Sequence, residues 1–330
     1  MIYTETIREG IHTVNRNWQL VFIQLIAMII SCISFFIIVG LPIAFAFIMF
    51  GLDLTEILKI QDIVSAITES FGLLNKYFTI AVMIIVSLFS YILFLILLWI
   101  FIISGTIGVL GNAVCDKDYR FGISRFFEEA KRYLRPVFGF SIIISTIFIF
   151  AAFMLGMLGG GASALIDRIK GLEMTLALFL SVFFALVLIS IGLFLIFSIM
   201  SVVVYGFAYL FFHKSSPYDA LKGSIRYIYS TPSSISFYAI LLVLYVLIGF
   251  IVLFIGSSFA LIPIIGIFLS MPYQILSYLI QAYIGLIMLS SVFHYYHKTV
   301  YSSCPLLSKG DSDISLNKAL GQATPPDERS

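Results

Sequence analysis

Charge is scarce in this chain. Asp, Glu, Lys and Arg make up 11% of its 330 residues, against about 25% in an ordinary soluble domain, so there is too little polar surface to cover a water-soluble globule. The formal charge is only +2, and the Lys and Arg are too scattered to form a nucleic-acid groove. Cysteine and histidine are as sparse. Cys32, Cys115 and Cys304 make no C-x-x-C pair and have no His at metal-ligand spacing, so they read as packing or incidental residues. The hydrolase G-x-S-x-G, the P-loop, H-E-x-x-H and G-x-G-x-x-G are all absent. No catalytic residue, cofactor or metal is therefore implied, and no Asn-x-Ser/Thr sequon occurs.

What is abundant is apolar sequence, at 61% of the residues. A helix needs roughly 20 apolar residues to cross the hydrocarbon core. Uncharged stretches run over 17–52, 77–115, 136–166, 174–212 and 227–297, and the last is long enough for two crossings. Gly256-Ser257-Ser258, Pro263 and Pro272 supply its break. Six spans follow, near 18–40, 78–103, 137–158, 175–200, 234–255 and 273–295. The first is too long for a signal-peptide core and reads as a retained helix. Ser104 to Val114 and Ser201 to Phe212 exceed the bilayer, by tilt, a kink or helix continuing past the interface. Gly105, Gly108 and Gly111 recur in the first extension at a spacing suited to close helix packing.

Orientation follows from the basic residues. With the N-terminus inside, Arg8, Arg16, Lys117, Arg120, Arg125, Lys131, Arg132, Arg135, Lys214, Lys222, Arg226, Lys298, Lys309, Lys318 and Arg329 lie inside, 15 of 19. Only Lys59, Lys76, Arg168 and Lys170 lie outside. The positive-inside rule thus places both termini in the cytoplasm and the chain in the cytoplasmic (inner) membrane. Residues 53–75 read as an amphipathic segment on the outer surface, and 302–330 as a disordered cytoplasmic tail.

The segments before spans one, three and five share a pattern. Apolar residues fall at the first, fifth and eighth places: Ile7, Ile11 and Val14; Ile123, Phe127 and Ala130; Leu221, Ile225 and Ile228. This spacing makes a short amphipathic helix, and the matched phase predicts equivalent burial of Ile11, Phe127 and Ile225, with Thr13, Glu129 and Tyr227 on the opposite, tolerant face. The expectation is an all-α polytopic membrane protein of three helical hairpins, each preceded by an interfacial amphipathic helix. The membrane domain covers 1–301, in units of about 1–115, 116–213 and 214–301. At these repeated basic-amphipathic stretches the chain resembles the multi-pass membrane domain associated with some glycerophosphoryl diester phosphodiesterases, and related bacterial and archaeal membrane families. The resemblance implies a membrane module; no phosphodiesterase domain accompanies it, so no catalytic residue carries over.

Two constellations stand out. Arg125, Lys131, Arg132 and Arg135 lie on a segment whose apolar side carries Phe126 and Phe127, placing four cations within reach of anionic headgroups, with an interfacial helix ending at Pro136. Gln274, Ser277 and Gln281 form a polar stripe on span six, read first as interhelical hydrogen bonding and second as the lining of a substrate path. His294 and His297 read as interfacial residues of an aromatic belt rather than metal ligands. No span carries Asp, Glu, Lys or Arg in its interior, which argues against ion-coupled transport. The favoured function is a non-enzymatic, lipid-associated scaffold or module with membrane lipids and a separately encoded protein as partners. A permease for a neutral or amphiphilic substrate is the alternative, marked by a lipid-accessible cavity, and an intramembrane enzyme, marked by converging acid and base groups, is the third.

Overall fold

The computed structural model describes residues 2–50, 78–116, 118–171, 173–260 and 265–301. The amphipathic reading of 53–75, the tail reading of 302–330 and Cys304 fall outside them. Apolar runs without helix breakers become long helices. The elements are α1 (Ile2–Arg16), α2 (Gln19–Phe35), a π-helical turn (Phe36–Gly40), α3 (Leu41–Phe50), α4 (Phe78–Cys115), α5 (Ile123–Lys170), α6 (Met174–His213), α7 (Pro217–Ser230), α8 (Pro232–Ala260) and α9 (Ile265–Tyr301). Six helices, the first running through the π-helical turn, are long and apolar enough to cross a membrane, and no strand occurs among the described residues. The protein is an all-α, polytopic membrane protein.

Several helices outrun the bilayer. At 48 residues, α5 is about 72 Å long, against about 40–45 Å for a bilayer with its headgroups. The excess of α4 and α6 is also helical, as 104–114 and 201–212 continue their spans without interruption. One expectation is corrected here. The amphipathic stretch from Ile123 does not end at Pro136 as a separate helix but runs through it into span three. A proline inside a helix removes a backbone bond and crowds the preceding turn. Here one buried face, made by Phe126, Ala130, Tyr133, Val137 and Phe140, runs in register across Pro136, and its packing outweighs that loss. By contrast α7 is a separate helix with a local start signal: Ser216 caps it by accepting from the Asp219 amide, and Pro217 follows at the first position.

The core sits at one end. Ile107, Val137, Phe140, Tyr205, Phe237, Phe293 and Tyr296 are buried in one cluster, and Val14, Leu20, Leu110, Phe126, Ala130 and Leu286 in a second beside it. Towards the other end the spans face outward: Ile149 is 68% exposed and Phe194 68%. Apolar surface in lipid needs no protein partner, so close packing there must come from shape rather than from the hydrophobic effect. Most of the glycines follow the same division, Gly256 against Tyr273 near the far end of α8 being an exception. A Cβ on Gly105 would strike Phe126, on Gly108 Glu129, on Gly111 Phe211 and on Gly206 Phe140, whereas Gly156, Gly160 and Gly249 have nothing within 4 Å. The three regularly spaced glycines of α4 thus act in close helix packing.

The amphipathic segments correct a second expectation. Ile11, Phe127 and Ile225 are all exposed, at 38%, 49% and 38%, and the residues one place earlier, Gly10, Phe126 and Ser224, are buried. Thr13 and Tyr227, expected on a tolerant face, are 4% and 9% exposed, and Glu129 lies against Gly108. Ile11 of α1 and Ile225 of α7 face outward because small and hydroxyl-bearing residues beside them allow the closer helix approach, while Val14 still enters the core. Against α9, Gly10 of α1 meets Ser291, Thr13 Oγ1 lies 2.9 Å from His294 Nε2, and Lys298 Nζ reaches Glu9 at 2.9 Å.

Candidate functional site

Where the packed end gives way to separated spans, α2, α4, α8 and α9 enclose a cavity of about 280 Å³. This is near the lower bound of roughly 300 Å³ for small-molecule sites. Gln24 enters from α2, Trp99 and Thr106 from α4, Tyr245 from α8, and Tyr278, Gln281 and Gly285 from α9. Gln24 stands seven residues beyond the buried Asn17, about 10 Å along the helix, so the cavity lies in the spans themselves. Its walls are mainly apolar and it is open on one side.

Two of the polar groups make structural hydrogen bonds. Tyr278 donates to the Gln24 carbonyl at 3.2 Å, fixing α9 against α2. Gln281 Nε2 donates to Ser277 Oγ at 3.3 Å within its own helix, and its side chain stays exposed at the cavity edge. A Cβ on Gly285 would come no nearer than 4.0 Å to Tyr245, so the missing side chain is what leaves the space empty. No carboxylate, imidazole or amine lines the cavity. It can hold an apolar group and offer a few hydrogen bonds, but it brings no acid and base together.

The sequence-level candidates divide. Of the polar stripe, Gln281 lines the cavity, Ser277 is its intrahelical partner and Gln274 is exposed. Arg125, Lys131, Arg132 and Arg135 are all exposed along α5. Arg125 donates to the Arg120 carbonyl at 3.3 Å and lies over the Tyr119 ring, whereas Arg132 lies over Tyr133 and 3.9 Å from Glu129. His294 is held between Thr13 and Glu9, and His297 lies against the Phe212 ring. Among the described residues no three His, Cys, Asp or Glu side chains converge on a metal position.

Sequence reasoning missed the tyrosines. Tyr205 donates to the Ser234 carbonyl at 2.8 Å, Tyr295 to Ser233 Oγ at 2.9 Å, Tyr283 to Asn15 Oδ1 at 2.5 Å and Tyr273 to the Val252 carbonyl. Tyr227 shares a 2.6 Å bond with Thr299, and burial pushes its phenol up, so it stays neutral. These phenols supply the interhelical bonds that the glutamines were expected to make. The available signal was the count of 18 tyrosines, several at helix ends. No family model, curated protein or solved structure matches the chain.

Proposed function

We propose that the chain is a non-enzymatic, lipid-associated membrane module that receives the apolar part of a neutral amphiphile in the cavity between α2, α4, α8 and α9. The observation that carries this reading is the lining: apolar walls with Gln24, Thr106, Tyr245, Tyr278 and Gln281 as hydrogen-bonding groups, no ionisable acid or base pair, and an open side. The excess of Lys and Arg on the loops and extensions of the packed end supports a cytoplasmic position for it in the inner membrane. The similar exposure of Ile11, Phe127 and Ile225 supports three related units, 1–115, 116–213 and 214–301. A permease for a neutral or amphiphilic substrate is the second reading, favoured by the cavity's open side and by its place on the seam between the first and third hairpins, where relative movement of the two would widen it.

The test uses the full chain in phosphatidylcholine nanodiscs doped with a phosphatidylcholine carrying a diazirine on one acyl chain. Photolabelling is expected at the α4 and α9 residues lining the cavity, and Gly285→Leu, which fills the space, is expected to remove that labelling while leaving label on Phe194 unchanged. Equal labelling of the cavity in wild type and Gly285→Leu would remove the lipid-cavity reading.

A further inference from the structure

A second concavity, of about 320 Å³, lies at the packed end, where α4 and α6 terminate against the side of α5 and the end of α9. Arg132, Lys214, His297 and Asn112 line it above a floor that includes Tyr133 and Phe212. No carboxylate is among the lining residues. Glu129 stands 3.9 Å from one side of the Arg132 guanidinium, a contact too long to occupy its donors fully, and among the described residues no carboxylate lies within 4.0 Å of Lys214. Two cations are thus brought to one hollow with a single, long carboxylate contact between them.

Lys214 is also the one residue other than glycine with a positive φ among the described residues, at φ 47 and ψ 37. It follows directly on α6, the position where helices turn left-handed and glycine is the usual occupant because a Cβ is disfavoured there. A lysine at such a place sacrifices backbone ease to put an ammonium at that spot, and backbone strain of this kind concentrates at ligand sites. The 40 residues of α6 make about 60 Å of helix, more than the 40–45 Å of a bilayer with headgroups, so the hollow opens at or beyond the headgroup layer.

From these two observations we propose that this hollow binds a phosphate group. The Arg132 guanidinium supplies paired donors, Lys214 a point charge and Asn112 an amide, and the aromatic floor accepts whatever carries the phosphate. A free phosphate-bearing solute and a lipid headgroup present the same chemistry. The full chain is followed by thermal unfolding in two settings: in neutral detergent with sodium phosphate against sodium chloride at equal ionic strength, and in phosphatidylcholine nanodiscs with and without phosphatidate. The Tm is expected to rise by several degrees with phosphate if the source is a solute, or with phosphatidate alone if it is a headgroup. The rise should vanish in Lys214→Gly and Arg132→Gln and persist in Lys131→Gln. Since glycine suits the left-handed position, Lys214→Gly should fold at least as stably without ligand, which separates lost binding from lost structure. No rise in either setting, a rise that survives both pocket substitutions, or equal loss in Lys131→Gln would overturn the proposal.

Discussion

Gly10 marks a close approach of α1 to α9. A Cβ there would stand 2.2 Å from Ser291 Oγ and 3.0 Å from its Cα; the hydroxyl can rotate, but the backbone can yield only by lifting α1. Gly10→Val is therefore expected to cost about 1–3 kcal/mol, seen as a lower Tm in detergent. Gly156→Ala, with nothing within 4 Å, should leave Tm unchanged or slightly higher, because alanine favours helix. Equal losses at both positions would contradict the division between packed and open ends. Tyr205, fully buried, gives the Ser234 carbonyl its phenol donor. Tyr205→Phe should cost about 1 kcal/mol, and no change in Tm would mean the bond contributes nothing. At this scale the α4 glycines were legible because a regular small-residue spacing has one main use. The tyrosines were not, since a phenol at a membrane interface and one bonded to a neighbouring helix look alike in sequence.

Among the elements, α5 carries the largest departure from expectation. Pro136 leaves the Arg132 carbonyl without its backbone donor, and a proline inside a helix costs about 3 kcal/mol relative to alanine. Pro136→Ala is expected to raise Tm, and a fall would show that the proline itself contributes to how Tyr133 and Phe140 reach the core. Hydropathy marked the six spans and the excess length at 104–114 and 201–212, because length without charge is the signal for both, but left open whether that excess is tilt, a kink or continuing helix. It misjudged which face of each amphipathic segment packs. Ile11 and Ile225 looked like inward residues by the rule for water-soluble helices, but near a membrane large apolar residues can remain outside while Gly10 and Ser224 turn inward. The cavity was only partly legible: Gln281 and Gln24 were polar positions of interest, but Tyr245 and Gly285, and the adjacency of all four helices, are recorded in no single run of sequence.

For the whole molecule, the asymmetry of basic residues sets a direct expectation. Reporters fused after Ser70 and after Lys309 should report opposite sides of the membrane, the first outside and the second in the cytoplasm; finding both on one side would require an odd change in the number of spans. That the protein belongs in a membrane was plain from its composition, whereas the concentration of its core at one end was hidden, because lipid-facing and protein-facing aliphatics have the same hydropathy. The contact between α1 and α9 has a consequence in time. Thr13 meets His294, made 281 residues later, and at about 5–20 residues per second of synthesis that interval is on the order of 15–60 s. Throughout it, α1 waits without the α9 residues that Gly10 and Thr13 meet. The packed end is thus closed by the last of the described helices to emerge from the ribosome.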